Sequence, residues 1–496
     1  MAKNVKRQGG PGYELTYPGK EAQEDILARA ANAEAPEPVK TFGPRRARGR
    51  NMLISGDNLS ALGALVKMKR AGRLKNSDST PGARLVYIDP PFSTNLEFHG
   101  RKKQKAYRDK LVGAEFIEFL RKRLVLLREL LSSDGSIFVH LDWKKAHPVK
   151  TIMDEVFGEE NFLNDIVWSY GGRGAKAIAG QFSRNHDIIL WYRKEKHVFN
   201  QIFVERRVKK GEGGFRQDAE GRWFKTSPRG DYTERSIAEL RKAGRVHETR
   251  NGKIRIKYFL REDGDYVIED RLVGDVWDDI PDAMHIRGAE KTGYPTQKPE
   301  ALLARIISAA SNEGDLVLDA FAGAGTALAA AEKLGRRWIG IDSGALAIHT
   351  IEKRLLTMYA PSQGQKKGRA KRCSPFTLYI TGDKDDGCGH AHARAPEVEC
   401  GYSIDEQTQE CVIKVERFSS PGAKAAGPKG LDALSSVMID FNFDHRAFHL
   451  DRACFAEELR ERDYTIRFPL DKVKGEVMLI YTDISGNESW FAGEIS

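Results

Sequence analysis

Residues 316–342 have the sequence LVLDAFAGAGTALAAAEKLGRRWIGID. This order predicts a strand at Leu316–Asp319, a glycine-rich loop, a helix at Thr326–Leu334 that Gly335 ends, and a second strand at Trp338–Asp342. Glycines let a backbone turn tightly and approach a bound small molecule. Alternation of strand and helix is typical of a mainly parallel sheet covered by helices. The segment therefore predicts an α/β fold with a ligand site after the first strand.

The same alternation begins at residue 51 and is interrupted once. Residues 200–285 mix charged and aromatic residues with many glycines, and the alternation resumes near Thr292. We therefore expect one α/β domain that carries an inserted module. The expected divisions are a basic N-terminal arm (1–50) with a short helix at 20–33, a first half of the α/β domain (51–199), the insertion (200–285), a second half (286–360), a basic linker (361–374) and a mostly β C-terminal domain (375–496).

The composition narrows the class of protein. The chain has 496 residues, 40% of them hydrophobic, which is enough for a sizeable core and predicts two or three folded units. Its formal net charge of +10 suits a polyanionic partner. No apolar run is long enough to span a bilayer, and the first residues lack the apolar stretch of a secretory signal. With five cysteines and no disulfide framework, we expect a cytoplasmic protein without membrane contact.

Asp89-Pro90-Pro91-Phe92 follows an apolar strand at Leu85–Asp89, where ligands of an open α/β sheet bind. An aromatic amine is a poor nucleophile because its lone pair is delocalised into the ring. A carboxylate and the carbonyl at the Pro-Pro step accept its two N–H bonds and turn the lone pair towards an incoming carbon. Phe92 offers a stacking face for a base that has left its duplex. An ordinary strand-ending turn is the alternative interpretation of the four residues alone.

The glycine loop at Phe321–Thr326 lacks the spacing of the dinucleotide fingerprint. One strand later, Asp342 stands where a carboxylate bonds ribose hydroxyls. The loop and Asp342 together favour an adenosyl cofactor, while a nicotinamide cofactor and a plain tight turn remain open.

Asp89-Pro90-Pro91-Phe92, followed much later by Phe321-Ala322-Gly323-Ala324-Gly325, resembles the β-group S-adenosylmethionine-dependent DNA amino-methyltransferases. Their circularly permuted order places the catalytic motif before the cofactor loop. The resemblance covers residues 51–358 and includes type III modification subunits and solitary site-specific enzymes. Other segments resemble family blocks in the same order, namely LISGDNL (53–59), SDGSIFVHLD (133–142), FGEENF (157–162), FSRNHD (182–187) and YPTQKP (294–299).

The resemblance implies a circularly permuted Rossmann-like sheet and direct methyl transfer from S-adenosylmethionine to the exocyclic N6 of a flipped-out adenine in DNA. It implies a role in restriction-modification or a related defence system. The implied catalytic residues are Asp89, Pro90, Pro91 and Phe92. The implied cofactor-binding residues are Asp57, Asn58, Thr296, Gln297, Lys298, Phe321, Ala322, Gly323, Gly325, Thr326 and Asp342.

Two departures bear on the target base. Cytosine-N4 members of the family more often carry Ser where this chain has Asp89, so the sequence favours adenine. Adenine members usually carry Tyr where this chain has Phe92, which keeps the stacking face and lacks the hydroxyl. An N4-cytosine enzyme, an RNA or protein amino-methyltransferase, and a DNA-binding subunit of a larger complex are the alternatives.

Residues 200–285 lie where the family carries its target-recognition region, and their basic and aromatic residues predict contact with double-stranded DNA. A restriction or defence partner subunit and a homodimer are both compatible with the sequence. Cys388, His390, His392 and Cys400 lack the C-x-x-C spacing of zinc sites, so we expect no metal. The predicted DNA-binding residues are Arg206, Arg207, Lys209, Lys210, Arg222 and Lys225.

Overall fold

The computed structural model describes residues 13–44, 51–92, 97–100, 105–108, 111–171, 182–359, 372–381, 395–421 and 428–495. The chain divides into two compact units. The first comprises Met1–Asn200 and Asp275–Ser496, and the second comprises Gln201–Gly274. Within the described part of the chain, no helix has both the length and the apolar content needed to cross a membrane.

Over these residues the α-helices are α1 (Gln23–Ala31), α2 (Asn58–Arg70), α3 (Gly113–Leu130), α4 (Ala146–Phe157), α5 (Glu234–Lys242), α6 (Glu300–Ala310), α7 (Thr326–Lys333), α8 (Ala345–Thr357) and α9 (Ala456–Glu461). Short 3-10 turns lie at Glu159–Asn161, Ala283–His285, Gly288–Glu290, Gly430–Ala433 and Leu470–Lys472.

The strands of the first unit up to residue 342 are β1 (Glu37–Phe42), β2 (Asn51–Ser55), β3 (Ala83–Ile88), β4 (Glu97–His99), β5 (Lys105–Arg108), β6 (Leu131–Leu141), β7 (Phe162–Ser169), β8 (His186–Arg193), β16 (Val276–Trp277), β17 (Leu316–Asp319) and β18 (Arg337–Asp342). The second unit contains β9 (Phe203–Lys209), β10 (Arg216–Gln217), β11 (Trp223–Pro228), β12 (Val246–Glu248), β13 (Ile254–Phe259), β14 (Arg261–Asp263) and β15 (Tyr266–Leu272). The strands after residue 375 are β19 (Phe376–Ile380), β20 (Glu397–Asp405), β21 (Glu410–Ser419), β22 (Leu434–Asp440), β23 (Phe448–Leu450), β24 (Arg452–Phe455), β25 (Thr465–Pro469), β26 (Val477–Asp483) and β27 (Glu488–Gly493).

A mixed sheet with the order β16-β7-β8-β6-β3-β17-β18-β2-β19-β1-β23 forms the centre of the first unit. Strands β6, β3, β17, β18, β2 and β19 run parallel, with Val317 opposite Leu85 and Ile341 opposite Ile54. Strand β8 is antiparallel to both of its neighbours. The predicted α/β sheet is therefore confirmed, and the carboxyl ends of β3, β17, β18 and β2 meet at one edge.

Helix α3 shows why the apolar pattern buries this sheet. Phe116, Leu120, Leu124 and Leu127 recur on one helix face and are fully buried in the main core. Each such side chain stabilises the fold by about 1.5–3 kcal/mol relative to an exposed position. The helix packs on α2 and α4, so it holds β3 and β6 in place behind the site.

Both ends of the chain contribute strands to the central sheet, which differs from the divisions expected from the sequence. Strand β1 lies in the expected N-terminal arm, and β19 lies at the start of the expected separate C-terminal domain. The two pair antiparallel, and β19 pairs parallel with β2, so β19 covers what would be an open sheet edge. The rings of Phe42 and Phe376 stack with centroids 4.3 Å apart. The basic run 45–50 and residues 360–371 of the expected linker lie outside the described residues.

The remaining strands form smaller sheets. In the first unit these are β20-β21-β25, β24-β22-β26-β27 and the pair β4-β5. The second unit has β10-β11-β13-β12 and β14-β15-β9. Its boundary at Gly274 is earlier than the expected residue 285, because β16 pairs with β7 in the central sheet.

Candidate active site

Four aspartates lie at or just after the carboxyl ends of four adjacent parallel strands. In sheet order they are Asp89 after β3, Asp319 on β17, Asp342 on β18 and Asp57 after β2. This is the edge at which an open α/β sheet binds its ligands. The sheet therefore brings the predicted catalytic motif and the predicted cofactor loop together, although they are far apart in sequence.

Three of these carboxylates are held by the backbone N–H two residues further along the chain. Such bonds to a residue's own loop are common for aspartate at turns and helix starts, and they fix the carboxylate against the backbone. The three bonds are Leu59 N–H to Asp57 Oδ2 at 2.9 Å, Phe321 N–H to Asp319 Oδ1 at 2.9 Å and Gly344 N–H to Asp342 Oδ1 at 2.8 Å.

Asp89 differs because Pro90 and Pro91 follow it, and proline has no backbone N–H. Its partner is instead a side chain: Lys298 Nζ lies 2.5 Å from Asp89 Oδ2. Both side chains are mostly buried, with 11% of Lys298 and 20% of Asp89 exposed. The same ammonium lies 5.2 Å from the centroid of the Phe92 ring. Lys298 thus lies close to both Asp89 and Phe92 of the predicted catalytic motif, whereas the sequence predicts Lys298 as a cofactor-binding residue.

A buried hydrogen-bonded chain lies behind Phe92. The His140 ring is fully buried, 6.5 Å from the Phe92 ring between centroids. His140 Nδ1 lies 2.9 Å from the Tyr87 hydroxyl, and Nε2 lies 3.0 Å from Asp187 Oδ2. The Tyr170 hydroxyl donates to the other Asp187 oxygen at 3.4 Å.

Charge and burial fix the protonation of this chain. Burial, together with the charges of Asp89, Asp319 and Asp187, raises the pKa of Tyr87 well above its ordinary value. Tyr87 therefore stays a phenol that is able to donate to His140. Burial alone would raise the pKa of Asp187, but the hydrogen bond from His140 and the charge of Lys298 hold that pKa below its ordinary value. Asp187 is therefore ionised at neutral pH.

The glycine loop is held from three sides. Gly323 N–H donates to Asp342 Oδ2 at 2.8 Å. The guanidinium of Arg354 donates to the Ala324 carbonyl at 3.1 Å and to Thr326 Oγ1 at 3.0 Å. Thr326 Oγ1 in turn donates to the Lys298 carbonyl at 3.3 Å. The loop is therefore rigidly placed beside the segment that carries Lys298.

Both glycines of the loop adopt a left-handed backbone conformation that other residues rarely adopt. Gly323 has a φ of 48°, and a Cβ there would lie 3.4 Å from Tyr294. Gly325 has a φ of 69°, and a Cβ there would lie 2.8 Å from Ile351 Cγ1. Asp342 lies at the end of the adjacent strand and is only partly buried. A closely approached backbone beside a half-exposed carboxylate suits a nucleoside with ribose hydroxyls.

The other predicted cofactor residues mainly brace the loops of this edge. Asp57 Oδ1 accepts from Arg123 at 2.8 Å, in addition to capping α2. Asn58 Nδ2 donates to the Ala320 carbonyl at 2.7 Å, which fixes the turn before the glycine loop. Gln297 is buried and accepts from both the N–H and the hydroxyl of Thr292. Thr296 has a φ of 56°, in the left-handed region.

Burial also changes the protonation of Asp319, which the sequence does not single out. Burial raises its pKa to about 8, opposed by the Phe321 N–H bond and reinforced by the charges of Asp89 and Asp342. Asp319 therefore carries a proton at neutral pH. The edge of the sheet then holds fewer negative charges than four ionised carboxylates would give.

Sequence reasoning missed Lys298 as the partner of Asp89, the chain through His140 and Asp187, and the contact of Arg354 with the loop. His140, Asp187 and Lys298 all lie in segments that resemble family blocks, which was the available signal.

The predicted DNA-binding residues of the second unit are mostly paired with carboxylates. Of the six, Lys209 has no ion pair within residues 201–274, all of which the structure describes. The pairs are Arg206 and Lys225 with Glu269, Arg207 with Asp263, Lys210 with Glu262, and Arg222 with Asp218 and Glu220. The cysteine and histidine run at 388–392 lies outside the described residues.

Comparison with known proteins identifies the family. A sequence profile for DNA methylases of the N6/N4 type matches residues 83–353, more than half of the chain. The chain belongs to the N6/N4 DNA methylase family. This methylase is 32% identical over 381 residues to the type II methyltransferase M.EcaI of Enterobacter cloacae, an alignment that covers 71% of this chain and 79% of the relative.

Other relatives of the methylase differ in length and in name. It is 25% identical over 391 residues to the probable type III restriction-modification enzyme HindVI Mod subunit of Haemophilus influenzae, covering 61% of this chain and half of the relative. It is 27% identical over 259 residues to the DNA adenine methyltransferase YhdJ of Escherichia coli, an alignment that covers 52% of this chain and 71% of the relative. A crystal structure of the M1.HpyAVI–SAM complex aligns with 61% of this chain and 98% of that chain, at 19% identity and a TM-score of 0.34.

The resemblance stated from the sequence is therefore confirmed. The chain is a DNA methyltransferase, and its cofactor is S-adenosylmethionine.

Proposed function

We propose that this methylase is an adenine-N6 enzyme that methylates a flipped-out base of duplex DNA by direct transfer. One observation carries the proposal. Among the four strand-end aspartates, Asp89 alone has a proline at the second position after it, so it cannot accept the N–H that holds each of the other three. A carboxylate that this N–H does not hold keeps acceptor capacity for an N–H of a substrate amine.

In this mechanism, Asp89 and the Pro90 carbonyl accept the two N–H bonds of the exocyclic amine and turn its lone pair out of the ring plane. Phe92 stacks on the base. The glycine loop and Asp342 would hold S-adenosylmethionine, which would supply the methyl group: its methyl–sulfur bond would break as the N–C bond forms, the sulfur would leave as a neutral thioether, and the surplus amine proton would pass to Asp89 or solvent. The N–H bonds become more acidic as the nitrogen gains positive charge, so their acceptance by Asp89 strengthens along the reaction.

Lys298 supports this role because its ammonium bonds to a single oxygen of Asp89, Oδ2. A carboxylate has about four acceptor positions, so this bond by itself leaves acceptor capacity for the amine. The backbone of Lys298 is tied to the glycine loop through Thr326, which links the placement of the carboxylate to that of the cofactor loop.

Adenine is favoured over cytosine by Asp at position 89, where cytosine-N4 members more often carry serine. The name of the relative YhdJ, a DNA adenine methyltransferase, agrees with this choice. The names of the type III relatives support a place in restriction-modification. We also propose that the family's permuted order applies, since β3 with the catalytic motif precedes its sheet neighbour β17 in the chain.

We further propose that residues 201–274 form the target-recognition module. They form a compact unit of their own and contain 18 Lys and Arg against 13 Asp and Glu, so their formal charge is +5. A basic, separately folded unit within a DNA methyltransferase suits contact with phosphates.

Transfer of a radioactive methyl group tests the proposed substrate class. The purified chain is incubated with methyl-labelled S-adenosylmethionine and with duplex DNA, RNA or a basic protein in parallel. Label should enter DNA alone. Label in RNA or protein, or none in DNA, would overturn the proposal. Asp89→Ala supplies the matched control, because it should bind the cofactor and transfer nothing.

A further inference from the structure

One face of the four-stranded sheet in the second unit carries four basic or titratable side chains. Directly opposed residues of antiparallel strands share a face, as do residues two apart along a strand. Arg216 is opposite Phe224, and His247 is opposite Arg255. Phe224 is opposite Phe259 and Lys257 lies two residues before Phe259, which places these side chains on the same face. We call Arg216, His247, Arg255 and Lys257 the basic face.

The side chains of the basic face lie close together. Arg216 Nη1 lies 3.2 Å from His247 Nε2. Lys257 Nζ lies 4.9 Å from the ring centroid of Phe224, which is itself buried. The guanidinium of Arg255 donates to the hydroxyl of Thr226 at 2.9 Å and to its carbonyl at 3.1 Å. Neutral oxygens and rings thus orient these cations without cancelling their charge.

No carboxylate pairs with Arg216, Arg255 or Lys257 within residues 201–274, every one of which is described. Burial lowers the pKa of His247, and the positive charges of Arg216, Lys257 and Arg255 lower it further. All three cations are therefore close enough to His247 to affect its protonation. Elsewhere in the unit most cations are neutralised. The ion-paired ones are Arg206, Arg207, Lys210, Arg222, Lys225, Arg229, Arg235, Arg241 and Arg261.

We propose that the basic face, and not the ion-paired Arg206–Lys210 strand, binds the phosphate backbone of duplex DNA. The inference rests on the proposed function, in which DNA is the substrate. Clustered cations without acids repel one another, and a polyanion relieves that repulsion while releasing its own counterions. A cation already paired with a carboxylate must break that pair before it can hold a phosphate, so it contributes less.

Two triple variants of the full chain test the proposal with equal loss of charge. Arg216→Gln, Arg255→Gln and Lys257→Gln together remove the unpaired cations. Arg207→Gln, Lys210→Gln and Arg261→Gln together remove three cations of the same unit that are each paired with an acid and do not lie on the four-stranded sheet. Affinity for a fluorescein-labelled duplex of mixed sequence is measured by anisotropy at several NaCl concentrations. Thermal unfolding verifies that each variant is folded.

Each lost phosphate contact removes about 0.9 from the slope of log affinity against log salt, so the basic-face variant should lose about 2–3 and the paired variant less than about 1. Exchanging Arg216 and Arg255 for Lys, and Lys257 for Arg, should keep the slope. A basic-face variant with the full slope, or a paired variant that loses as much, would overturn the inference. If the unaltered chain methylates DNA while the inference fails, the proposed function stands; if the unaltered chain neither binds nor methylates DNA, the proposed function fails first.

Discussion

Pro91 lies two residues after Asp89, in the position from which a backbone N–H holds the carboxylate at the three neighbouring strand ends. Because proline has no N–H, that bond cannot form at Asp89, and Lys298 Nζ lies 2.5 Å from its Oδ2 instead. We propose that the prolines have a chemical role besides stiffening the loop, because they remove a backbone donor that would compete with a substrate amine for the carboxylate.

Pro91→Ala should restore a competing backbone donor and lower kcat. A hydrogen bond to a charged group is worth about 1.5–3 kcal/mol, so breaking it in each turnover would slow transfer by about 10- to 100-fold. Affinity for S-adenosylmethionine should stay the same. Pro81→Ala, just before the other end of the same strand, is the control and should leave kcat unchanged. Equal rates for both variants would show that the missing N–H is irrelevant.

Lys298→Met should lower kcat at least about tenfold, since it removes one hydrogen bond to a charged group. Lys298→Arg keeps a donor and should recover much of the rate. Steady-state kinetics and calorimetric titration with the cofactor separate the two roles considered for this residue. If Lys298→Met weakens cofactor binding and leaves kcat intact, the placement at the cofactor predicted by the sequence is the better one.

The sequence predicts the fold well where the pattern of apolar and turn residues within a single segment is enough to define a strand or a helix. Leu316–Asp319, the glycine loop and the helix from Thr326 follow from apolar runs and turn residues, and the structure confirms them. The place of Asp89 at the ligand-binding edge of the sheet can also be predicted from the sequence, because the carboxyl ends of parallel strands lie at the same edge.

Contacts between distant segments could not be predicted in this way. Lys298 reaches Asp89 across 209 residues, and no spacing rule connects the two. Arg206 lies 63 residues from Glu269, so its charge looks available in the sequence and is paired in the fold. Phe376–Ile380 follows a basic stretch that suggests a linker, yet its apolar residues complete an open sheet edge.

Gly323→Val should weaken binding of S-adenosylmethionine, because it forces a branched side chain into a left-handed position facing Tyr294. Asp342→Ala should do the same, since it removes the acceptor of the Gly323 N–H and a proposed ribose contact. Gly335→Val, at the far end of the helix, is the control for a branched side chain forced into a crowded left-handed position away from the loop. Cofactor affinity is measured by calorimetry. If Gly323→Val and Asp342→Ala bind the cofactor as tightly as Gly335→Val and the unaltered chain do, the cofactor binds elsewhere.

Asp319→Asn should stabilise the chain increasingly as pH rises. The pKa of the Asp319 carboxyl is raised from 3.8 to about 8, so between these values the folded state holds a proton that the unfolded state has released. Stability contributed by this group is therefore greatest below the lower value and is lost as pH rises to the higher one. Asparagine keeps the acceptor for Phe321 and cannot ionise. The difference in Tm between variant and unaltered chain should grow from about pH 5 to about pH 8; a constant difference would contradict the raised pKa.

Nucleoside analysis of DNA tests the central claim most directly. DNA is taken from cells that lack their own DNA methylation and express either the chain or its Asp89→Ala variant, and its nucleosides are identified by mass spectrometry. The account predicts N6-methyladenine with the unaltered chain and none with Asp89→Ala, whose purified form still binds S-adenosylmethionine. N4-methylcytosine, or N6-methyladenine that persists in the variant, would contradict it.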